Sequence, residues 1–178
     1  MKKLILCEGP NEKVIIDILL ENNLLIINKD DLIGLQPYHA RQIDKAANIS
    51  VAIKTYNQPF EILRIGDSLT DKLRIPKNFE QKVMKIEKYC TKPELEFLLI
   101  ISENLLNDYA KSKLKKPKLF AKQNIILNKH RYDNSCQFYF DYYGNRPNTL
   151  VDALREYKRI KNHDKDELYL FDLIKKDN

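Results

Sequence analysis

Glycine is scarce in this chain, with four in 178 residues. A phosphate cradle built from backbone amides needs closely spaced glycines, so a nucleotide-handling enzyme of that kind is disfavoured. Cysteine is scarce too. Cys7, Cys90 and Cys136 are far apart and no pair has metal-ligand spacing. An odd, scattered set fits a reducing compartment and hence a cytoplasmic protein. His39, His130 and His163 are equally isolated, so each reads as a surface histidine rather than part of a local zinc motif. No apolar run approaches the ~20 residues that span a bilayer, which argues against a membrane role. Lys2 and Lys3 precede a short apolar run in the manner of a secretory signal, but that run stops at Cys7 and Glu8, too soon for one. Finally, one stretch lacks acids altogether. Between 111 and 131 lie Lys111, Lys113, Lys115, Lys116, Lys118, Lys122, Lys129 and Arg131, with no Asp or Glu.

What is present is a globular composition of 43% hydrophobic and 31% charged residues, enough chain for one well-buried core. The net charge of +6 suits a polyanionic partner, and its concentration in one segment predicts an electropositive face.

The most informative stretch is 2–20. Residues 3–7 are a short apolar run of strand character, and Glu8-Gly9-Pro10-Asn11 is a turn. From Asn11 the period changes: Val14, Ile15, Ile18 and Leu19 mark one face of a helix, with Asn11 as its predicted cap. Glu8 therefore stands at the carboxyl end of a strand, where ligands bind in open α/β sheets. Glu8 and Glu12 could converge on a hard cation such as Mg²⁺ or Mn²⁺. The plainer reading is a strand-end acid in solvent and a helix-dipole acid.

Further along, the pattern predicts strands at 24–27 and 59–65, an extended piece at 32–36, and helices over 38–47 (continuing through 50–56), 78–89, 93–101 and 105–113. A helix over 149–159, capped by Asn148 with Val151, Leu154 and Tyr157 inward, and a last short helix over 166–176 complete the set. Asp67, after Gly66 at the end of the 59–65 strand, is a second strand-end acid, with Asp71 one helical turn on. Glu94 is explained as a helix-start acid, whereas Glu96, next to Phe97 and a run of aliphatics, is a candidate third carboxylate. Phe120, His130 and Tyr132, interleaved with the lysines, leave room for base or sugar contacts. The aromatics of 135–143 read first as core.

Carboxylates that recur at element junctions repel one another unless a cation or a proton neutralises them. Beside a lysine-rich segment they are what metal-assisted phosphodiester chemistry needs. Here the sequence resembles a known family. LILCEGPNEKVIIDILL is similar to the first motif of Toprim domains, ILRIGDSLTDKL occupies the place of their Asp-x-Asp motif, and KPELEFLLI is similar to the third segment of OLD-family and RloB-like Toprim nucleases. The resemblance spans about 3–101. It implies an α/β, Toprim-like (Rossmann-like) domain with a mainly parallel sheet of four to five strands flanked by helices. It further implies metal ligation by Glu8, Asp67 and Glu96, with Glu12 as helix partner and Asp71 as the candidate replacement from the next turn for the missing aspartate, and a part in bacterial defence against phage, where an ATPase partner is common. The departure is Leu69, which stands where the second aspartate of Asp-x-Asp belongs.

The sequence thus leads to a catalytic core over 1–105 and a basic, aromatic extension over 106–178 that is not an independent domain. The extension would pack on the core as helices, with room for an antiparallel edge strand. The expected activity is Mg²⁺- or Mn²⁺-dependent cleavage of DNA or RNA. Glu8 (ligand or general base), Glu12 and Lys92 would serve catalysis, and Lys113, Lys115, Lys116, Lys118, Lys122 and Arg131 would hold nucleic acid. The rival is a degenerate fold of the same type, which binds nucleic acid or a protein without catalysis.

Overall fold

The computed structural model describes residues 1–67, 72–92, 94–160 and 167–176. Asp71, Leu69, Pro93, His163 and Asp166 lie outside these described residues. Strand β1 (Lys2–Cys7) leads through the Glu8-Gly9 turn into helix α1 (Pro10–Glu21). The apolar residues of β1 are buried on both faces, as expected of a central strand in a parallel sheet. Pro10 starts α1, a position where its missing N–H costs nothing. Asn11 is therefore inside the first turn and not the cap: the proline sets the helix start one residue earlier.

The chain then reaches β2 (Tyr38–His39), helix α2 (Ala47–Thr55), β3 (Phe60–Gly66) and β4 (Val83–Cys90). Three short helices follow, α3 (Glu96–Ser102), α4 (Leu106–Lys111) and α5 (Pro117–Asn124). Next come β5 (Ile126–Leu127), β6 (His130–Arg131), α6 (Cys136–Tyr143), α7 (Pro147–Ile160) and β7 (Leu168–Tyr169). Strands β2-β1-β3-β4-β7, in that order, form one five-stranded sheet in which every pairing is parallel. The architecture is thus α/β with a parallel sheet flanked by helices, consistent with a Rossmann-like fold. Strands β5 and β6 form a separate antiparallel hairpin whose two loop residues, Asn128 and Lys129, both have positive φ, as a tight primed turn requires.

Strand alternation divides the core. Ile5, Cys7, Leu63 and Ile65 meet α1, α3, α5, α6 and α7 on one face. Leu4, Leu6, Phe60 and Ile62 meet α2, Ile43 and Phe79 on the other. Helix α3 is buried all round, so it sits inside the helical layer, and α7 turns Leu150, Val151, Leu154 and Tyr157 inward as the spacing predicts. Each such aliphatic side chain stabilises the fold by about 1.5–3 kcal/mol on burial. No helix among the described residues is long and apolar enough to cross a membrane.

Several expected elements are different. Residues 24–27 form no strand; Leu25 makes a single antiparallel bridge to Ile174. Residues 33–35 form a helical turn through Gly34 at φ 73°, not an extended piece. The expected helix over 38–47 is replaced by β2 and a turn at Ile43–Lys45, because Tyr38 and His39 pair with Leu6 and Cys7. Most of 78–89 is β4. Phe79, Val83 and Ile86 happen to have helical spacing, but the ladder to β3 decides the structure. Pro147 begins α7, so Asn148 is within it. The end of the chain holds β7 and a turn at Leu170–Leu173, and β7 is a parallel edge strand, not an antiparallel one.

Candidate functional site

From β1 the chain goes to the β2 edge and then returns to build β3, β4 and β7 on the other side of β1. The order reverses between β1 and β3, and the crevice at the carboxyl ends of those strands is where ligands bind in open α/β sheets. Glu8 and Asp67 stand at those two ends.

Glu8 keeps its backbone in the ladder, donating its N–H to the Ile65 carbonyl at 2.9 Å. Glu8 is 5% exposed, and its carboxylate lies 2.7 Å from the Nη2 of Arg64, which is 1% exposed. Arg64 had no part in the sequence reading. Its signal was available, as the one basic residue in an otherwise apolar strand end. Gly66 completes the arrangement, because a Cβ there would run into the Glu8 carboxylate and its Cγ.

Glu12, in the first turn of α1, folds back over Gly9 and is half-buried. Burial pushes its carboxyl pKa above the usual range, a hydrogen bond to backbone pulls it down, and the charges of Asp67, Glu8 and Glu96 push it up again, in that order. After burial, three other acids singled out in the sequence therefore bear on the Glu12 proton. Asp67 is exposed, and Asp71 lies outside the described residues.

Glu96 opens α3 and is 5% exposed. The Tyr132 hydroxyl donates to its Oε1 at 2.7 Å, and the Tyr139 hydroxyl lies 3.1 Å from that of Tyr132. Burial first, then the Glu96 charge, raises the pKa of both tyrosines, so they remain protonated donors. With the Asn134 amide nitrogen directed at Glu96 (3.1 Å), its oxygen accepts from Lys118 Nζ at 2.9 Å. Glu94 is not a ligand: its Oε2 accepts the backbone N–H of Lys118 at 2.9 Å and so caps α5. Tyr132, Tyr139 and Asn134 were missed as site residues, since nothing in their spacing connects them with residue 96. Tyr132 and Phe120 are buried and cannot stack on bases as expected, while His130 is exposed.

Lys92 is half-exposed, with its ammonium 3.8 Å from Glu167, beside β7. Lys113, Lys115, Lys116 and Lys122 are exposed, and so is Arg131, whose Nη1 donates to the Gln123 carbonyl at 2.9 Å. An all-carboxylate donor set has the chemistry of a hard-cation site. Among the described residues, however, no three His, Cys, Asp or Glu side chains are grouped closely enough to hold a metal. Glu8 and Glu96 instead face Arg64 and Tyr132. Comparison with protein-family models, with curated proteins and with solved structures gave no match.

Proposed function

We propose that the crevice between β1 and β3 is a divalent-cation site of Toprim type and that the protein hydrolyses phosphodiester bonds of DNA or RNA. The observation that carries this is the placement of Glu8 and Asp67 at the carboxyl ends of β1 and β3, where the strand order reverses, with Glu12 folded back over the same turn. Carboxylates placed so close favour a positive charge among them. The sequence resemblance, with Glu8-Gly9 after β1 and Gly66-Asp67 after β3, points the same way, and phage defence with a partner ATPase is the setting it suggests.

Glu8 and Asp67 would hold Mg²⁺ or Mn²⁺, with water and phosphate oxygens completing the shell. When bound, the cation would polarise the phosphoryl group and lower the pKa of the attacking water. Glu12, half-buried over Gly9, would serve as general base toward that water. The water oxygen bonds to phosphorus, the bond to one ester oxygen breaks, and that oxygen leaves with a proton from solvent. Arg64 holds the Glu8 carboxylate at the strand end, and the exposed lysines of 113–122 retain the backbone of the nucleic acid.

A second reading rests on the Arg64–Glu8 pair. A guanidinium already supplies the positive charge that a cation would bring, which suits a module that binds nucleic acid without cleaving it. Thermal unfolding with and without Mn²⁺ separates the two. A cation at ~100 times its Kd adds about 2.7 kcal/mol, a rise of several degrees at roughly 2–4 °C per kcal/mol for a chain of this size. The nuclease reading expects that rise in the wild type, its loss in Asp67→Asn, and Mn²⁺-dependent cleavage of labelled DNA or RNA. No rise and no cleavage would leave the binding module.

A further inference from the structure

Segment 131–134 alternates. Arg131 and Asp133 face solvent, whereas Tyr132 and Asn134 turn in toward Glu96. Asn134 meets two opposite charges there. With the amide assigned so that each end meets a complementary partner, its nitrogen lies 3.1 Å from Glu96 Oε1 and its oxygen 2.9 Å from Lys118 Nζ. Lys118 is fixed at its other end as well, since its backbone N–H is held by Glu94. Asn134 itself sits at φ 68°, in the left-handed region that asparagine tolerates better than most residues. Its carbonyl is held by Asn11 Nδ2 of α1 at 3.2 Å. The loop is thus tied to the helix that carries Glu12.

We propose that Asn134 is a positioning residue. It sets the Lys118 ammonium and the Glu96 carboxylate at a fixed separation, so that a phosphate received by Lys118 arrives over the acidic crevice. A neutral amide does this with one side chain, because it offers an acceptor to the cation and a donor to the anion. A carboxylate would repel Glu96, and an ammonium would repel Lys118. Lys113, Lys115 and Lys116, exposed on the approach, collect the polyanion; Lys118 sets its register. This role rests on the nuclease reading above.

The test uses Asn134→Gly, which removes the amide without straining a positive φ, together with Lys118→Ala and the double variant. Affinity for fluorescein-labelled single-stranded DNA and RNA oligonucleotides is measured in EDTA, and single-turnover cleavage in Mn²⁺. We expect Asn134→Gly to keep Kd within about twofold while the cleavage rate at saturation falls about tenfold or more, as a small misplacement does. The double variant should be no slower than Lys118→Ala, since the two act as one unit. Asn134→Asp, of the same shape, should be as slow as Asn134→Gly; recovery to the wild-type rate would show that shape alone matters and would overturn the proposal. So would an unchanged rate in Asn134→Gly, a loss confined to Kd, or independent multiplying losses in the double variant. A wild type with neither Mn²⁺-linked stabilisation nor cleavage removes the nuclease reading itself and this role with it. A wild type that cleaves no faster than Asn134→Gly removes only the positioning role.

Discussion

A guanidinium that is 1% exposed near the end of a parallel strand requires an anion, and Glu8 supplies it at 2.7 Å. Glu8 is therefore part of the fold as well as of the crevice. Removing one partner of a buried pair leaves the other charge uncompensated, at a cost of about 3–5 kcal/mol. Arg64→Met should lose roughly that much in denaturant titration, and Glu8→Gln together with Arg64→Met should recover a good part of it. A loss below about 1 kcal/mol in the single variant would show that the pair is not needed for stability. Glu12 is a different case, with a pKa raised chiefly by burial. The folded protein holds this proton more tightly than the unfolded chain does. Its contribution to stability is therefore whole below the ordinary carboxylate range and is lost as pH rises through the raised value. In metal-free protein, Glu12→Gln should raise the melting temperature at about pH 8 and give no gain near pH 4, where the wild type is also protonated. A gain of the same size at both pH values would mean that charge is not the cause.

The two turns that carry these acids differ in their tolerance. A Cβ on Gly9 meets the far end of the Glu12 side chain, which can swing away; a Cβ on Gly66 meets the Glu8 carboxylate and its Cγ, which Arg64 and the buried strand end hold in place. Gly9→Ala should leave the melting temperature nearly unchanged while displacing Glu12 and weakening Mn²⁺-linked stabilisation. Gly66→Ala should lower the melting temperature markedly, and equal melting temperatures for the two would contradict this account of the crevice. Strands β1 and β3 were legible in the sequence because short apolar runs end there in a glycine-bearing turn. Glu8 and Asp67 were legible for the same reason. Strand β4 was not. Its sequence VMKIEKYC alternates only weakly, and Met84 and Ile86 are exposed at 62% and 42%, so no buried face marks its period. β2 and β7 are two residues each, too short to show any period, and exist through pairing with β1 and β4. Arg64, Tyr132 and Asn134 join the acids through tertiary contacts alone, which local spacing does not encode.

At the scale of the molecule, the acids and the basic stretch come from different parts of the chain yet meet at the carboxyl end of the sheet. Lys118 reaches Asn134 beside Glu96, while Lys113, Lys115 and Lys116 remain exposed. The net charge of +6 is therefore less telling than its arrangement, an exposed cationic stretch that leads through Lys118 to the surroundings of Glu96. Such an approach should act through counterion release, so affinity should fall steeply with salt. Each phosphate contact on a single strand contributes about 0.7 to the slope of log K against log salt, and losing three should lower the slope by about 2. The triple variant Lys113→Gln, Lys115→Gln, Lys116→Gln is predicted to show that change in fluorescence anisotropy titrations over a range of KCl. Its Mn²⁺-linked stabilisation should match that of the wild type, because these side chains point to solvent and not into the crevice. An unchanged slope would mean that the polyanion approaches from another face, and the charge asymmetry would then serve solubility alone.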